Sequence, residues 1–131
     1  VLSTVDSHDQ PHGRYMGAVT DRDVPTHLYA LSAKETRKTA DIQHNPRVCW
    51  SFMRGDGSEA VSLLGKAGLH ETTILPDDAW HRLSSLAEPY AMNAASDERH
   101  HAFIAIVMRI EMIEYLNPAE GITRPERIAV E

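Results

Sequence analysis

Three cations, Lys34, Arg37 and Lys38, gather at the start of an expected helix inside the stretch LYALSAKETRKTADIQHNPRVCWSF, Leu28 to Phe52. Unpaired N–H groups at a helix start already carry partial positive charge, which disfavours neighbouring cations by about 0.3 to 1 kcal/mol each at exposed sites. A bound phosphate reverses that sign, because backbone donors and side-chain cations then share one anion. Ser32 with Glu35 three residues on matches a capping box and predicts a helix from about Ala33. Asn45 and Pro46 end it near His44. A solvated basic face with Glu35 and Asp41 nearby explains the same pattern, and the segment alone supports the two readings about equally.

Other reactive residue types point to structure more than to chemistry. Cys49 is the only cysteine and lies in the apolar run VCWSF, which favours a buried small hydrophobe over a nucleophile and excludes an internal disulfide. His8 and His12 fall in a turn, and the adjacent His100 and His101 point apart on an extended chain, so neither pair has the i, i+4 spacing of a helical metal chelate. No metal site is expected. Asp77 and Asp78 are explained by helix-start charge, and Trp50 and Tyr29 read as strand aromatics of the core. There is no Gly-rich phosphate loop and no Gly-x-Ser-x-Gly elbow, and the catalytic residues stay unassigned.

The 131 residues fit one domain, 1–131, with a single core. Charged residues at 24% and hydrophobic ones at 42%, with no apolar run long enough to span a bilayer, point to a soluble protein without a membrane role. A formal charge of −6 argues against a nucleic-acid partner and makes the basic cluster a local feature. The chain opens directly on VLSTVD, as a strand already under way.

The elements that must position the cluster can be read in order. Leu2–Val5 and Arg14–Thr20 predict a hairpin across the polar turn DSHDQPHG, and Thr26–Leu31 predicts a third strand leading straight into Ser32. Arg47–Met53 and Ala60–Leu69 form the next pair across RGDGS, with Gly65 and Gly68 as bulge candidates. Pro76 starts a helix whose face carries Ala79, Trp80, Leu83, Leu86 and Ala87. His101–Leu116 is dense in isoleucine and valine and reads as a strand covered partly on both sides, with Arg109 and Glu111 emerging on one. From Asn117 the chain is expected to be irregular, ending in an extended piece at Arg127–Val130. The expected fold is mainly β with flanking helices, a six-stranded antiparallel barrel closed by helices at its ends.

In this order and context the segments resemble the FMN-binding split barrels related to pyridoxamine 5′-phosphate oxidase, in particular their smaller general stress protein branch. Thr36-Arg37-Lys38, followed without a gap by NPRV at Asn45–Val48, carries most of the likeness; PHGRYM at Pro11–Met16 and the run Leu64–Ala67 add to it. The resemblance implies a split β-barrel of the FMN-binding type. It implies that Thr36, Arg37, Lys38 and Arg14 hold the FMN phosphate, that Tyr15 and Met16 give backbone contacts near the ring, and that Leu31 and Ser32 line the flavin. It further implies a homodimer with flavin at the subunit interface, oxidoreductase activity with a small-molecule electron donor or acceptor, and a cytoplasmic location. Val19 and Ala60 stand where pyridoxamine phosphate oxidases carry a lysine and a glutamine, and the tail TRPERIAVE lacks their Trp-Arg and Arg-Leu-x-Pro pieces, so vitamin B6 oxidation is not expected. Related barrels that hold a deazaflavin or a haem, and a non-catalytic flavin-binding module, are the alternatives.

Overall fold

The computed structural model describes residues 1–87 and 102–131. Along the chain run β1 (Leu2–Val5), β2 (Pro11–Arg14), β3 (Val19–Thr20), β4 (His27–Ala33), α1 (Arg37–His44), β5 (Arg47–Met53), β6 (Ala60–His70), α2 (Asp77–Ala87), β7 (Phe103–Asn117) and β8 (Ile122–Ala129). Short 3-10 turns at Thr72–Ile74 and Pro118–Glu120 precede α2 and β8. The strands join in the order β2-β1-β5-β6-β7-β4-β3, with β8 also on β7, and every pairing is antiparallel. The sheet is open, with the helices packed against it, which is the split-barrel architecture. It has eight strands where six were expected.

β7 organises the assembly. One of its edges follows β6 from Ala105 to Leu116, while the other is divided between β4 at Phe103–Arg109 and β8 at Met112–Asn117. At the division Ile110 N–H donates to Thr26 O and Val130 N–H to Glu111 O. The register with β6 shifts at the same level, between Leu64 and Gly65, leaving Glu111 as the extra residue of a bulge. Gly65 is required there, because a Cβ would collide with the Arg109 carbonyl oxygen. Gly68 keeps the register and makes no bulge.

The main core gathers Leu2, Leu28, Ala30, Val48, Trp50, Ile106 and Met108 with Ile42 of α1. A second cluster joins Val19, Tyr29 and Ala105 to Leu75 and to Ala79 and Leu83 of α2. β7 therefore buries alternate residues on both faces over its first half, with Arg109 and Glu111 exposed.

Several local expectations need correction. β4 does not stop at Leu31: its ladder with β7 holds Ser32 opposite Ile104 and Ala33 opposite Phe103, so Ser32 cannot cap a helix. The cap is Thr36, boxed with Thr39, while Glu35 takes a left-handed φ of 56°. The expected strand Arg14–Thr20 is two short strands separated by residues 15–18. The tail forms β8 despite Pro125, which an edge strand tolerates. Cys49 is half-buried beside Ser51. The His100–His101 pair lies outside the described residues.

Candidate functional site

Arg14 at the end of β2, residues 15–17 after it, the end of β4, the first turn of α1 and the last turns of α2 surround a cavity of about 410 Å³. That size suits a cofactor or small ligand. Its two ends differ in chemistry. Arg14, Lys38 and Ser32 make one polar, while Met16, Leu31, Leu83 and Leu86 make the rest apolar.

The polar end is assembled from three elements. Arg14 on β2 reaches back under the sheet, where its guanidinium donates to Thr4 Oγ1 at 2.8 Å and to Leu2 O at 3.3 Å. Thr4 in turn donates to Asp41 Oδ2 at 2.7 Å, and that carboxylate lies 3.9 Å from Arg14. Thr4 and Asp41 are buried, so a β1 hydroxyl and an α1 carboxylate together fix the arginine. Lys38 occupies the second position of α1 and lines the cavity without a hydrogen-bond or ion-pair partner among the described residues. Burial, and then the Arg14 charge, lower the Lys38 ammonium from its usual range. Burial likewise lowers Arg14, with Asp41 opposing and Arg37 reinforcing the shift. Two or three cations therefore meet one buried carboxylate beside a helix start, an excess of positive charge that an anion would relieve.

The structure brings together six of the eight residues singled out in the sequence: Arg14, Tyr15, Met16, Leu31, Ser32 and Lys38 line the cavity. Tyr15 sits at the rim, 92% exposed. The Met16 carbonyl accepts from Trp50 Nε1 at 3.2 Å, which ties this rim to the core. Ser32 is buried, donates to Ala33 O and lies 3.4 Å from Thr36 Oγ1. Thr36 and Arg37 stand just outside. Thr36 is occupied as the cap, and Arg37 reaches His12 Nδ1 at 3.4 Å. That contact needs the His12 proton on Nε2, where it faces Asp6 Oδ2 at 2.8 Å. Asp6 is held down to about 2, chiefly by this hydrogen bond. Trp50 and Tyr29 are core residues with satisfied polar atoms, as their strand positions suggested.

Sequence reasoning missed Gly17, Ala33, Leu83 and Leu86 as cavity residues. Leu83 and Leu86 were visible as one face of a helix, and the signal that could have singled them out is that this face is longer than the core it covers. Leu83 is buried, whereas Leu86 remains 46% exposed at the cavity.

The model of the family described as Pyridoxamine 5'-phosphate oxidase matches residues 1–117. The chain belongs to this family. No curated protein matches it. Among solved structures, General Stress Protein 26 from Bacillus anthracis str. Sterne is 21% identical, with a TM-score of 0.72 over 98% of this chain and 86% of that one. A pyridoxamine 5'-phosphate oxidase-type protein from Listeria innocua is 28% identical, with a TM-score of 0.64 over 88% and 86% of the two chains. A pyridoxamine 5'-phosphate oxidase-related, FMN binding protein from Nostoc punctiforme PCC 73102 is 11% identical, with a TM-score of 0.66 over 99% and 86%. An F420 reductase is 19% identical, with a TM-score of 0.63 over 86% and 85%. The names of these structural neighbours differ in cofactor, and the likenesses below a quarter identity establish the fold alone. Among the described residues no group of three metal-ligating side chains comes together, and no helix is long and apolar enough to cross a membrane.

Proposed function

We propose that this chain is an FMN-binding flavoprotein, a homodimeric oxidoreductase of the general stress protein type that passes electrons between small molecules. The observation that carries the reading is the excess of positive charge at the polar end of the cavity, where Lys38 has no partner among the described residues and Arg14 is aimed by Thr4 and Asp41. These residues fit a phosphate monoester: Arg14 offers paired N–H donors and Lys38 a point charge. Thr36, whose Oγ1 lies 3.4 Å from Ser32, and the first backbone N–H groups of α1 are the donors that would complete such a grip, with Arg37 directed at His12 outside the cavity. The apolar remainder of the cavity suits a planar ring, with Tyr15 and Met16 at its rim and Leu31 and Ser32 beneath.

Flavin, when bound, supplies hydride or electron transfer, and the protein's part is to hold it, shield it from water and tune it. No proton-transferring side chain is assigned. Membership of the family favours a dimer whose second copy covers the open rim, where Tyr15 is exposed. The absence of the lysine and glutamine at Val19 and Ala60 argues against vitamin B6 oxidation.

The test is an absorbance spectrum of the purified protein followed by titration with FMN and with riboflavin, read by quenching of flavin fluorescence. FMN bound well ahead of riboflavin supports a phosphate grip. Binding of neither rejects the reading, and binding of a deazaflavin in their place selects the cofactor suggested by the F420 reductase fold. Turnover with NADH or NADPH and an artificial acceptor separates an enzyme from a flavin-binding module.

A further inference from the structure

The last turns of α2 line the cavity with apolar side chains. Leu83 and Leu86 face it. The two hydroxyls beside them are turned away: Ser84 Oγ donates to Trp80 O at 2.8 Å and Ser85 Oγ to His81 O at 3.2 Å. The helix is also fastened at its other end. Asp78 Oδ2 accepts from Arg82 Nε at 2.8 Å and lies 3.3 Å from Arg22 Nε, and Arg82 donates to Thr20 O at 2.6 Å. Gly17 faces Leu86 across the cavity mouth, where a Cβ would come within 3.2 Å of Leu86 Cδ1. Among the described residues, the side chains that α2 presents to the cavity, Leu83 and Leu86, are apolar.

A flavin ring has one edge of carbonyl and N–H groups and an opposite edge bearing two methyl groups. Setting the polar edge against leucine would leave its groups without hydrogen-bond partners, whereas the methyl edge gains from the same burial. Tyr15, Met16 and Gly17 line the same cavity, with the Met16 carbonyl accepting from Trp50 Nε1. We propose that Leu83 and Leu86 seat the methyl-bearing edge of the ring and so select a flavin over an 8-hydroxy-5-deazaflavin, in which a hydroxyl replaces one of those methyls. The inference rests on the flavin reading above and adds the residues that choose the ring.

The experiment titrates the intact protein with riboflavin and with 8-hydroxy-5-deazariboflavin. Both lack phosphate, so the grip at Lys38 does not contribute. The parent should bind riboflavin about tenfold tighter or more, and Leu86→Gln should cut that preference to about threefold or less, with Leu86→Met keeping it. Gly17→Ala displaces Leu86 without altering α2 and should weaken riboflavin by about threefold, which provides a check if Leu86→Gln fails to fold. A parent that favours the deazaflavin, or a folded Leu86→Gln protein with the full preference, overturns the inference and leaves the flavin reading intact. If neither ring binds while FMN does, this inference fails and the flavin reading stands; if FMN does not bind either, the flavin reading fails and this inference with it.

Discussion

Two hollows of similar size, about 410 Å³ beside α1 and about 440 Å³ beside the β5–β6 hairpin, differ in how their charges are matched. In the second, Arg54 meets Glu59 at 2.8 Å, Tyr115 donates to the other oxygen of Glu59 at 2.7 Å, and Asn117 donates to Tyr115 at 3.0 Å. The Tyr115 hydrogen bond, then Arg54, keeps the Glu59 carboxyl below its usual range, so the network is closed on itself. In the first, Lys38 is unmatched and Arg14 shares a single carboxylate with Thr4. Residual charge, more than volume, distinguishes a ligand site from a crevice.

The comparison can be broken outright through the ladder both hollows depend on. Gly65→Ala drives a Cβ into the Arg109 carbonyl oxygen between β6 and β7 and should cost about 3 kcal/mol or more, read as a lowered urea midpoint, with both hollows lost together. A sharper cut is Lys38→Ala. Removing a partly buried charge from a phosphate should weaken FMN by about 10- to 100-fold with riboflavin little changed, measured by fluorescence titration. Arg37→Ala, whose guanidinium lies on His12 outside the cavity, should cost FMN only about threefold in the same assay. Arg54→Ala should leave FMN affinity unchanged and lower stability by about 1 kcal/mol or less.

The smallest expected effect concerns the hairpin that carries His12. Asp6 holds its carboxyl at about 2 against an ordinary 3.8, so on acidification the unfolded chain takes up a proton before the folded one does. Its contribution is complete above the ordinary value and declines as pH falls toward about 2. Asp6→Asn should therefore lower the melting temperature slightly at neutral pH, with the difference from the parent shrinking as pH falls toward about 2, so that the acid limb of the profile flattens.

How much of this was legible in the sequence depended on the range of the physics. β1, β5, β7 and the end of α1 follow from period-two patterning and from the Asn45-Pro46 stop, which act within a few residues. The start of α1 did not, because Ser32/Glu35 and Thr36/Thr39 compete as caps and the choice is made by pairing of Ser32 and Ala33 with a strand 70 residues later. Arg14, Ser32 and Lys38 were identified through an ordered family pattern and do converge on one cavity. Leu83 and Leu86 were not, since periodicity marks an apolar face without saying what part of it outruns the core. The end of β8 was expected as an extended piece at Arg127–Val130, but its start at Ile122 was missed for its exposed, charged residues and Pro125, features an edge strand accepts.

The divided edge of β7 makes the molecule modular. β4, which carries Leu31, Ser32 and Ala33 into the cavity, and β8, which follows the family-matched residues 1–117, use separate stretches of the same strand. β8 can therefore be shortened, exchanged or fused to another segment without disturbing a hydrogen bond of the β4 ladder.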